Sequence, residues 1–213
     1  MTQVFEVMQE LKIVAVLRRI PASSGSSAVR ALAAGGGRLV GVTLENPEAV
    51  TLLQSLTDLT DSGVLVGAGT VRPRDPLREA DPAGAVFAVS PHWDPDLWSE
   101  SVRLNIPYVP GAMTPSEIAA AFRAGAVMVK VFPAGPLGSG YIRELRGPLS
   151  APRIMVTGGI HAGNIRDYLQ AGADVAGVGG ALLPAEAIRT GQFSEITAKA
   201  RELVSLVTGE REG

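Results

Sequence analysis

The chain has 213 residues, 46% of them hydrophobic and 19% charged, which is enough apolar material for one large core and unlike a disordered chain. The formal net charge of −2, without a basic run, argues against a nucleic-acid partner. The absence of cysteine excludes disulfides, thiolate metal sites and cysteine nucleophiles.

The first twelve residues, Met1 to Lys12, include acidic residues and have no long apolar centre. This pattern is typical of a surface helix and not of a secretion signal. Further along the chain no apolar stretch is long enough to cross a bilayer. We therefore expect a cytoplasmic protein without a membrane partner.

Short apolar runs recur along the rest of the chain. In each run the apolar residues are continuous and do not alternate with polar ones, which is typical of a strand buried on both faces. The runs are Ile13–Leu17, Leu39–Leu44, Val64–Val66, Ala85–Val89, Pro107–Val109, Val127–Val131, Arg153–Val156 and Val175–Val178. They predict eight strands.

Helices are predicted between these strands. The segment Ala28–Ala34 runs into three consecutive glycines, which is a signal for a helix C-terminus. Two further segments, Pro47–Leu56 and Pro115–Arg123, carry proline near the first turn, where its missing N–H does no harm. Thr114 and Glu117 have the spacing of a capping box.

The alternation of strand and helix continues over the whole chain without a linker. It predicts one α/β domain, residues 1–213, built as a single (β/α)8 TIM barrel with an N-terminal capping helix. A doubly wound open sheet fits the same alternation. We favour the barrel because nothing in the sequence marks a single nucleotide-binding crevice.

Glycine pairs follow the last two predicted strands. Any one glycine after a strand usually serves a tight turn. Two pairs, Gly158-Gly159 and Gly179-Gly180, lie where barrels commonly bind phosphate through unobstructed backbone N–H groups, with added favourable dipole from helix N-termini. They favour a phosphorylated substrate.

Lys130 lies inside the apolar run Val127 to Pro133. Burial of an ammonium is costly, so the pKa of such a lysine falls and its neutral amine becomes able to form a Schiff base with a ketone. Alternatively, the stem of Lys130 packs along the strand while its head reaches solvent.

Several motifs resemble those of the class I aldolases that cleave 2-keto-3-deoxy-6-phosphogluconate (KDPG) and, in many members, 4-hydroxy-2-oxoglutarate (KHG). The resemblance extends from Ala15 to the helix at Ile196–Leu206. The matching segments are Val66–Val71, Phe87–Pro91, Pro110-Gly111 with Thr114–Glu117, Lys130–Ala134 and Thr157–Ile160. It implies a homotrimer of barrels, needing neither metal nor cofactor, with Lys130 as the Schiff-base former.

The resemblance also implies the substrate contacts. Arg18 and Thr70 correspond to residues at the carboxylate and hydroxyl end of the substrate, and Pro91 and Phe132 to its apolar walls. The phosphate or distal carboxylate is expected at Thr157, Gly158, Gly159, Gly179 and Gly180.

The chain departs from the family pattern at the second strand. Most members have there a glutamate that relays protons, whereas this chain has Gly41. Glu45 projects to the same face four residues later, roughly 13 Å along the strand, and would replace that base only if the strand end curls over the lumen or a water chain intervenes. Ala181 likewise replaces a serine and removes one phosphate donor.

Three interpretations remain open at this stage. One is an aldolase releasing pyruvate together with glyceraldehyde 3-phosphate or glyoxylate, so that its partners are small 2-keto acids and aldehydes. Another is a catalytically impaired homologue that binds keto acids or phosphosugars. The third is a different barrel enzyme, such as a phosphosugar isomerase, in which Lys130 only neutralises charge. Metal binding is not expected, because neither His92 nor His161 has a companion at ligand spacing.

Overall fold

Residues 2–45, 47–72, 77–80 and 82–209 are described by the computed structural model of the protein. Within these ranges nine parallel strands form one sheet. They are β1 (Ile13–Leu17), β2 (Leu39–Thr43), β3 (Leu65–Gly69), β4 (Ala88–Val89), β5 (Tyr108–Val109), β6 (Gly111–Ala112), β7 (Met128–Val131), β8 (Arg153–Thr157) and β9 (Val175–Val178).

The sheet closes on itself as a barrel. β1 pairs with both β2 and β9, while β5 pairs with β4 and β6 pairs with β7. β5 and β6 are two halves of one strand separated by Pro110, which has no N–H to give to the ladder. The carbonyl of Pro110 still accepts a hydrogen bond from the backbone N–H of Lys130 at 2.8 Å. The barrel therefore has eight strands when β5 and β6 are counted as one. This confirms the predicted (β/α)8 barrel and excludes the open sheet.

Helices follow most strands. They are α1 (Thr2–Leu11), α2 (Ala22–Ala34), α3 (Ala49–Ser55), α4 (Leu77–Ala80), α5 (Pro95–Leu104), α6 (Pro115–Arg123), α7 (Gly138–Arg146), α8 (Ile165–Gln170), α9 (Ala185–Thr190) and α10 (Phe193–Thr208), with a 3₁₀ helix at Thr57–Ser62. The predicted capping box at α6 is confirmed, with Glu117 Oε2 accepting from the Thr114 backbone N–H at 2.8 Å. None of the described helices is both long and apolar enough to traverse a bilayer.

One end of the barrel is filled and the other is hollow. Phe5 and Met8 of α1 are buried against the inward-facing side chains of the strands, among them Leu39 and Met128. The N-terminal segment is therefore a capping helix with one buried face, and the expectation of a simple surface helix is corrected. Met1 lies outside the described residues.

The hollow end of the barrel is explained by glycines on the inward faces of the strands. Side chains alternate along a strand, so the position after Leu39 on the inward face of β2 is Gly41. Gly69 on β3 and Gly177 on β9 line the same interior. Since none of these residues has a side chain to fill the lumen, the carboxyl ends of the strands enclose open space.

Candidate active site

A cavity of about 390 Å³ opens at the carboxyl ends of the strands. Nine of the residues proposed from the sequence line it, and they lie on or just after five different strands. They are Arg18, Thr70, Lys130, Phe132, Thr157, Gly158, Gly159, Gly179 and Gly180. The barrel thus brings together residues that are up to 162 positions apart in the sequence (180 − 18 = 162).

Lys130 lies at the base of this cavity on β7. Its side chain is only 7% exposed, so its head does not extend into solvent. Burial, assisted by the positive charge of Arg18, lowers the pKa of Lys130 to about 8, and the carboxylate of Glu45 partly opposes this shift. The Nζ atom lies 4.7 Å from the centroid of the Phe132 ring. A neutral, nucleophilic amine is therefore accessible near physiological pH.

Arg18 follows β1 and is bound to an acidic partner. Its Nε atom lies 3.2 Å from Oε2 of Glu45, whose side chain is 18% exposed. This oxygen makes no hydrogen bond of good geometry within the described part of the chain. Glu45 is not among the residues that line the large cavity, and it reaches the site through Arg18. Glu45 therefore lies beside the site, paired with Arg18, and does not present its carboxylate in the cavity.

Two threonines line the cavity. Thr70 has φ of +53°, a left-handed conformation that is rare for a β-branched residue and is often found at functional sites. Thr157 ends β8, and its buried Oγ1 has no hydrogen-bond partner among the described residues. The hydroxyl of Thr70 is therefore available to a ligand, whereas that of Thr157 is buried and unpaired.

The glycine pairs form two adjacent turns beside the lysine. Gly158 and Gly159 both adopt positive φ, +86° and +80°, which favours glycine at these positions. Within the described chain the N–H groups of Gly159, Gly180 and Ala181 donate no hydrogen bond to the protein. The carbonyl of Gly158 is held by the N–H of Gly135 at 2.7 Å. The result is a fixed cluster of unpaired donors suited to an anion.

The expectation that helix N-termini add a favourable dipole at the glycine pairs is wrong. α8 begins at Ile165 and α9 at Ala185, five or more residues beyond the glycine pairs, and each has six residues. The anion-binding character of this region therefore depends on the N–H groups of the turns themselves.

Pro91 is another predicted residue that does not line the cavity. It lies against β6, where a Cβ on Gly111 would come within 2.2 Å of the Pro91 carbonyl carbon. The cavity also has lining residues that the sequence did not assign to it, namely Val16, Ile160, His161 and Gly177, and it is lined by Ala181, where the family has a serine. Val16 lies in an apolar run and could not be distinguished from a core residue, and His161 was considered from the sequence only as a metal ligand.

A second, smaller cavity lies beneath Lys130. Its volume of about 30 Å³ is lined by Gly41, Thr157 and Lys130 among others. A Cβ on Gly41 would meet no atom closer than 3.9 Å. The space is enough for about one water molecule beside the amine and the unpaired hydroxyl of Thr157.

Known proteins share both the sequence and the fold. The family model described as KDPG and KHG aldolase matches residues 4–199. The KHG/KDPG aldolase of Escherichia coli is 38% identical over 177 residues, 82% of each chain. The KDPG aldolase of Legionella pneumophila, solved with pyruvate as a covalent carbinolamine, has a TM-score of 0.84 at 29% identity, covering 92% of this chain and 95% of that one. The KDPG aldolase of Zymomonas mobilis ZM4 with 3-phosphoglycerate has a TM-score of 0.87 at 27% identity, covering 97% of both chains.

The chain belongs to the KDPG and KHG aldolase family. It is therefore an aldehyde-lyase of the class I, Schiff-base type, which requires no metal. Membership excludes the phosphosugar isomerase interpretation, and the interpretation as a catalytically impaired homologue finds no support in these matches. No group of three or more acidic or histidine side chains that could hold a metal occurs in the ranges described.

Proposed function

We propose that the protein cleaves KDPG to pyruvate and glyceraldehyde 3-phosphate, KHG to pyruvate and glyoxylate, or both, with the whole chain, residues 1–213, acting as one barrel domain. The observation that carries the proposal is a buried lysine with a lowered pKa in the same cavity as a cluster of unpaired backbone donors. The first group suits a ketone and the second suits a distal anion. The names of the relatives, and the 3-phosphoglycerate in the Zymomonas structure, support this substrate class.

The reaction begins with Lys130. Its neutral Nζ attacks the C2 carbonyl carbon of the 2-keto acid and forms a carbinolamine, which loses water to give an iminium. Burial at 7% exposure favours the neutral amine that starts this step. The iminium nitrogen then serves as the electron sink for bond cleavage.

Cleavage requires removal of the proton from the C4 hydroxyl. The C3–C4 bond breaks, its electron pair forms the enamine, and the aldehyde half leaves with C4 as its carbonyl. We assign the proton acceptor to Glu45, the carboxylate whose field acts on Lys130. Because Glu45 does not line the large cavity, this role requires movement of its side chain or an intervening water. Protonation of the enamine at C3 and hydrolysis then release pyruvate and regenerate Lys130.

Side chains and backbone N–H groups at the two ends of the cavity are assigned to positioning the substrate. The planar guanidinium of Arg18 suits the carboxylate of the 2-keto acid, and the hydroxyl of Thr70 adds a further donor. The ring of Phe132 provides an apolar wall next to Nζ. The N–H groups of the glycine turns receive the phosphate or distal carboxylate.

We also propose that the protein is a homotrimer assembled through an apolar groove on the outside of the barrel. The groove, of about 250 Å³, is lined among others by Phe5, Trp98, Val102, Ile106 and Val127. Val102 is 52% exposed and Val127 is 42% exposed, which is costly in water and favours coverage by another chain. A phosphorylated sugar acid as substrate is consistent with a cytoplasmic site of action.

The direct test is an assay of pyruvate release from KDPG, KHG and unphosphorylated 2-keto-3-deoxygluconate. We expect release from at least one of the first two substrates, at a higher kcat/KM than from the unphosphorylated sugar acid. Lys130→Met provides the matched inactive control. Absence of pyruvate from every substrate with the folded protein would reject the proposal.

A further inference from the structure

We propose that His161 is a specificity-determining residue that donates a hydrogen bond from Nε2 to the phosphate of a phosphorylated substrate. The inference rests on the proposed function and adds a side-chain donor to its anion end. It begins from the position of the ring: His161 lines the large cavity together with Gly158, Gly159, Gly180 and Ala181.

The hydrogen bonds of the ring determine which nitrogen carries the proton of the neutral imidazole. Nδ1 accepts a hydrogen bond from the backbone N–H of Gly163 at 3.1 Å. In the neutral imidazole the proton must then be on Nε2, which becomes the donor. Nε2 has no hydrogen-bond partner in the described chain, so this donor is available.

The backbone that carries the ring is held in place before any ligand binds. Oδ1 of Asn164 accepts from the backbone N–H of His161 at 2.9 Å, and Nδ2 of the same residue donates to the carbonyl of Gly159 at 2.9 Å. One side chain therefore ties His161 to the glycine turn. A Cβ on Gly163 would lie 3.2 Å from the His161 ring, so glycine there permits the close approach of the ring to the backbone.

The chemistry of the remaining lining residues leaves this role open. Lys130 is committed to the ketone and Arg18 to a carboxylate. Ala181, on the other glycine turn, has no hydroxyl to offer. Thr157 lies next to the glycine turn, but its Oγ1 atom is buried. His161 is therefore the exposed side-chain donor placed next to the turn N–H groups, and a phosphate, with three acceptor oxygens, can use both kinds of donor.

The decisive measurement is the ratio of kcat/KM for KDPG to kcat/KM for 2-keto-3-deoxygluconate in two matched variants. His161→Asn keeps an acceptor at the position of Nδ1 but loses the outer donor, and His161→Gln places an amide donor near the position of Nε2. We expect the ratio to fall about 10- to 100-fold in His161→Asn, the range for a lost hydrogen bond to a charged group, and to recover largely in His161→Gln. His92→Gln is the control, because His92 is the other histidine of the chain and does not line the cavity.

A second readout uses the fact that the chain has two histidines. Titration of the ¹⁵N-histidine-labelled protein with inorganic phosphate should shift the Nε2 resonance of one residue, assigned to His161 by its loss in His161→Asn. An unchanged substrate ratio in His161→Asn, an equal fall for both substrates, or no phosphate-dependent shift would overturn the proposal. Failure of the proposed function would be distinct, since the wild-type protein would then release no pyruvate from KDPG, KHG or 2-keto-3-deoxygluconate. Release of pyruvate from KHG alone would overturn the role of His161 and leave the proposed function standing.

Discussion

Three charged residues determine the protonation of the amine in the cavity. Lys130 is buried at 7% exposure, Arg18 is near enough to lower its pKa further, and Glu45 opposes this effect while bound to Arg18 at 3.2 Å. Binding of a 2-keto acid carboxylate to Arg18 would compete with Glu45. The same three residues would then couple substrate binding to the release of a base.

The pH dependence of imine formation follows from the pKa of Lys130, which burial lowers to about 8. Below this value the protonated amine cannot attack, so the rate should fall about tenfold for each pH unit. Above it the rate should level off. Pyruvate trapping rates measured in the free enzyme between pH 6 and about pH 10 test this, and a midpoint near the ordinary lysine value would contradict the effect of burial.

Glu45→Gln tests the proton acceptor. It should lower kcat by on the order of 10²- to 10⁴-fold, because the amide cannot take the hydroxyl proton. Imine formation with pyruvate should persist, since it needs Lys130. Glu48→Gln is the matched control, as Glu48 lies on the same rim of the barrel and is exposed.

An altered KM with an unchanged kcat in Glu45→Gln would contradict the assignment of Glu45 as the proton acceptor. Glu45 would then act only on Arg18, and another group or water would be the base. The small cavity under Gly41 is the place where such a water would be sought.

At the scale of elements, two glycines that face each other across β2 and β3 have different roles. Gly41 and Gly67 are partners in the register of the two strands. A Cβ on Gly67 would lie 2.4 Å from the Phe87 ring, whereas a Cβ on Gly41 would meet nothing closer than 3.9 Å. Gly67 thus permits core packing, and Gly41 leaves space beneath the active site.

Gly67→Ala should therefore destabilise the protein by about 1–3 kcal/mol through overpacking. Gly41→Ala, at the partner position, should change the free energy of unfolding much less. Chemical denaturation of the two variants measures the difference. Equal destabilisation would show that strand propensity, rather than the Phe87 contact, determines the cost.

Strand and helix positions could be predicted where apolar pattern and capping signals were strong, as at β1, β9 and α6. The start of α2 was missed by six residues, because Ala22 to Ser27 is rich in serine and glycine, which are weak helix formers. Tertiary packing stabilises it, with Gly25 placed closely against Leu52. β3 was predicted as Val64–Val66 but spans Leu65–Gly69, because its glycines carry no apolar signal.

The site was predictable to the extent that it lies at strand ends. Nine proposed residues do line one cavity. Pro91 and Glu45 could not be placed, because the direction of the chain after a strand end is determined by contacts remote in sequence. His161 could not be assigned for the same reason: the hydrogen bond from Gly163 that orients its ring depends on the conformation of the turn.

At the scale of the whole molecule, the barrel separates stability from chemistry. Phe5 and Met8 of α1 seal one end with apolar contacts, and the other end is left hollow by inward-facing glycines. The proposed trimer contact lies on the outer wall, where Trp98 packs against Tyr108 with ring centroids 6.2 Å apart. Catalysis therefore uses a different end of the barrel from sealing and the proposed assembly, which share Phe5.

Val127→Asp should disrupt the assembly, because it places a carboxylate in the apolar groove. We expect light scattering coupled to size-exclusion chromatography to give a trimer mass for the wild-type protein and a smaller mass for the variant. Thr51→Asp, on the exposed face of α3, should leave the mass unchanged. A wild-type monomer would contradict the trimer.

The central claim is that Lys130 forms the Schiff base, and borohydride trapping with pyruvate tests it most directly. Intact mass and peptide mapping should show one reduced pyruvyl group per chain, located on the peptide that contains Lys130. The other lysines, Lys12 and Lys199, should remain unmodified, and Lys130→Met should not react. Labelling at Lys12 or Lys199, or no labelling of the folded protein, would contradict the claim.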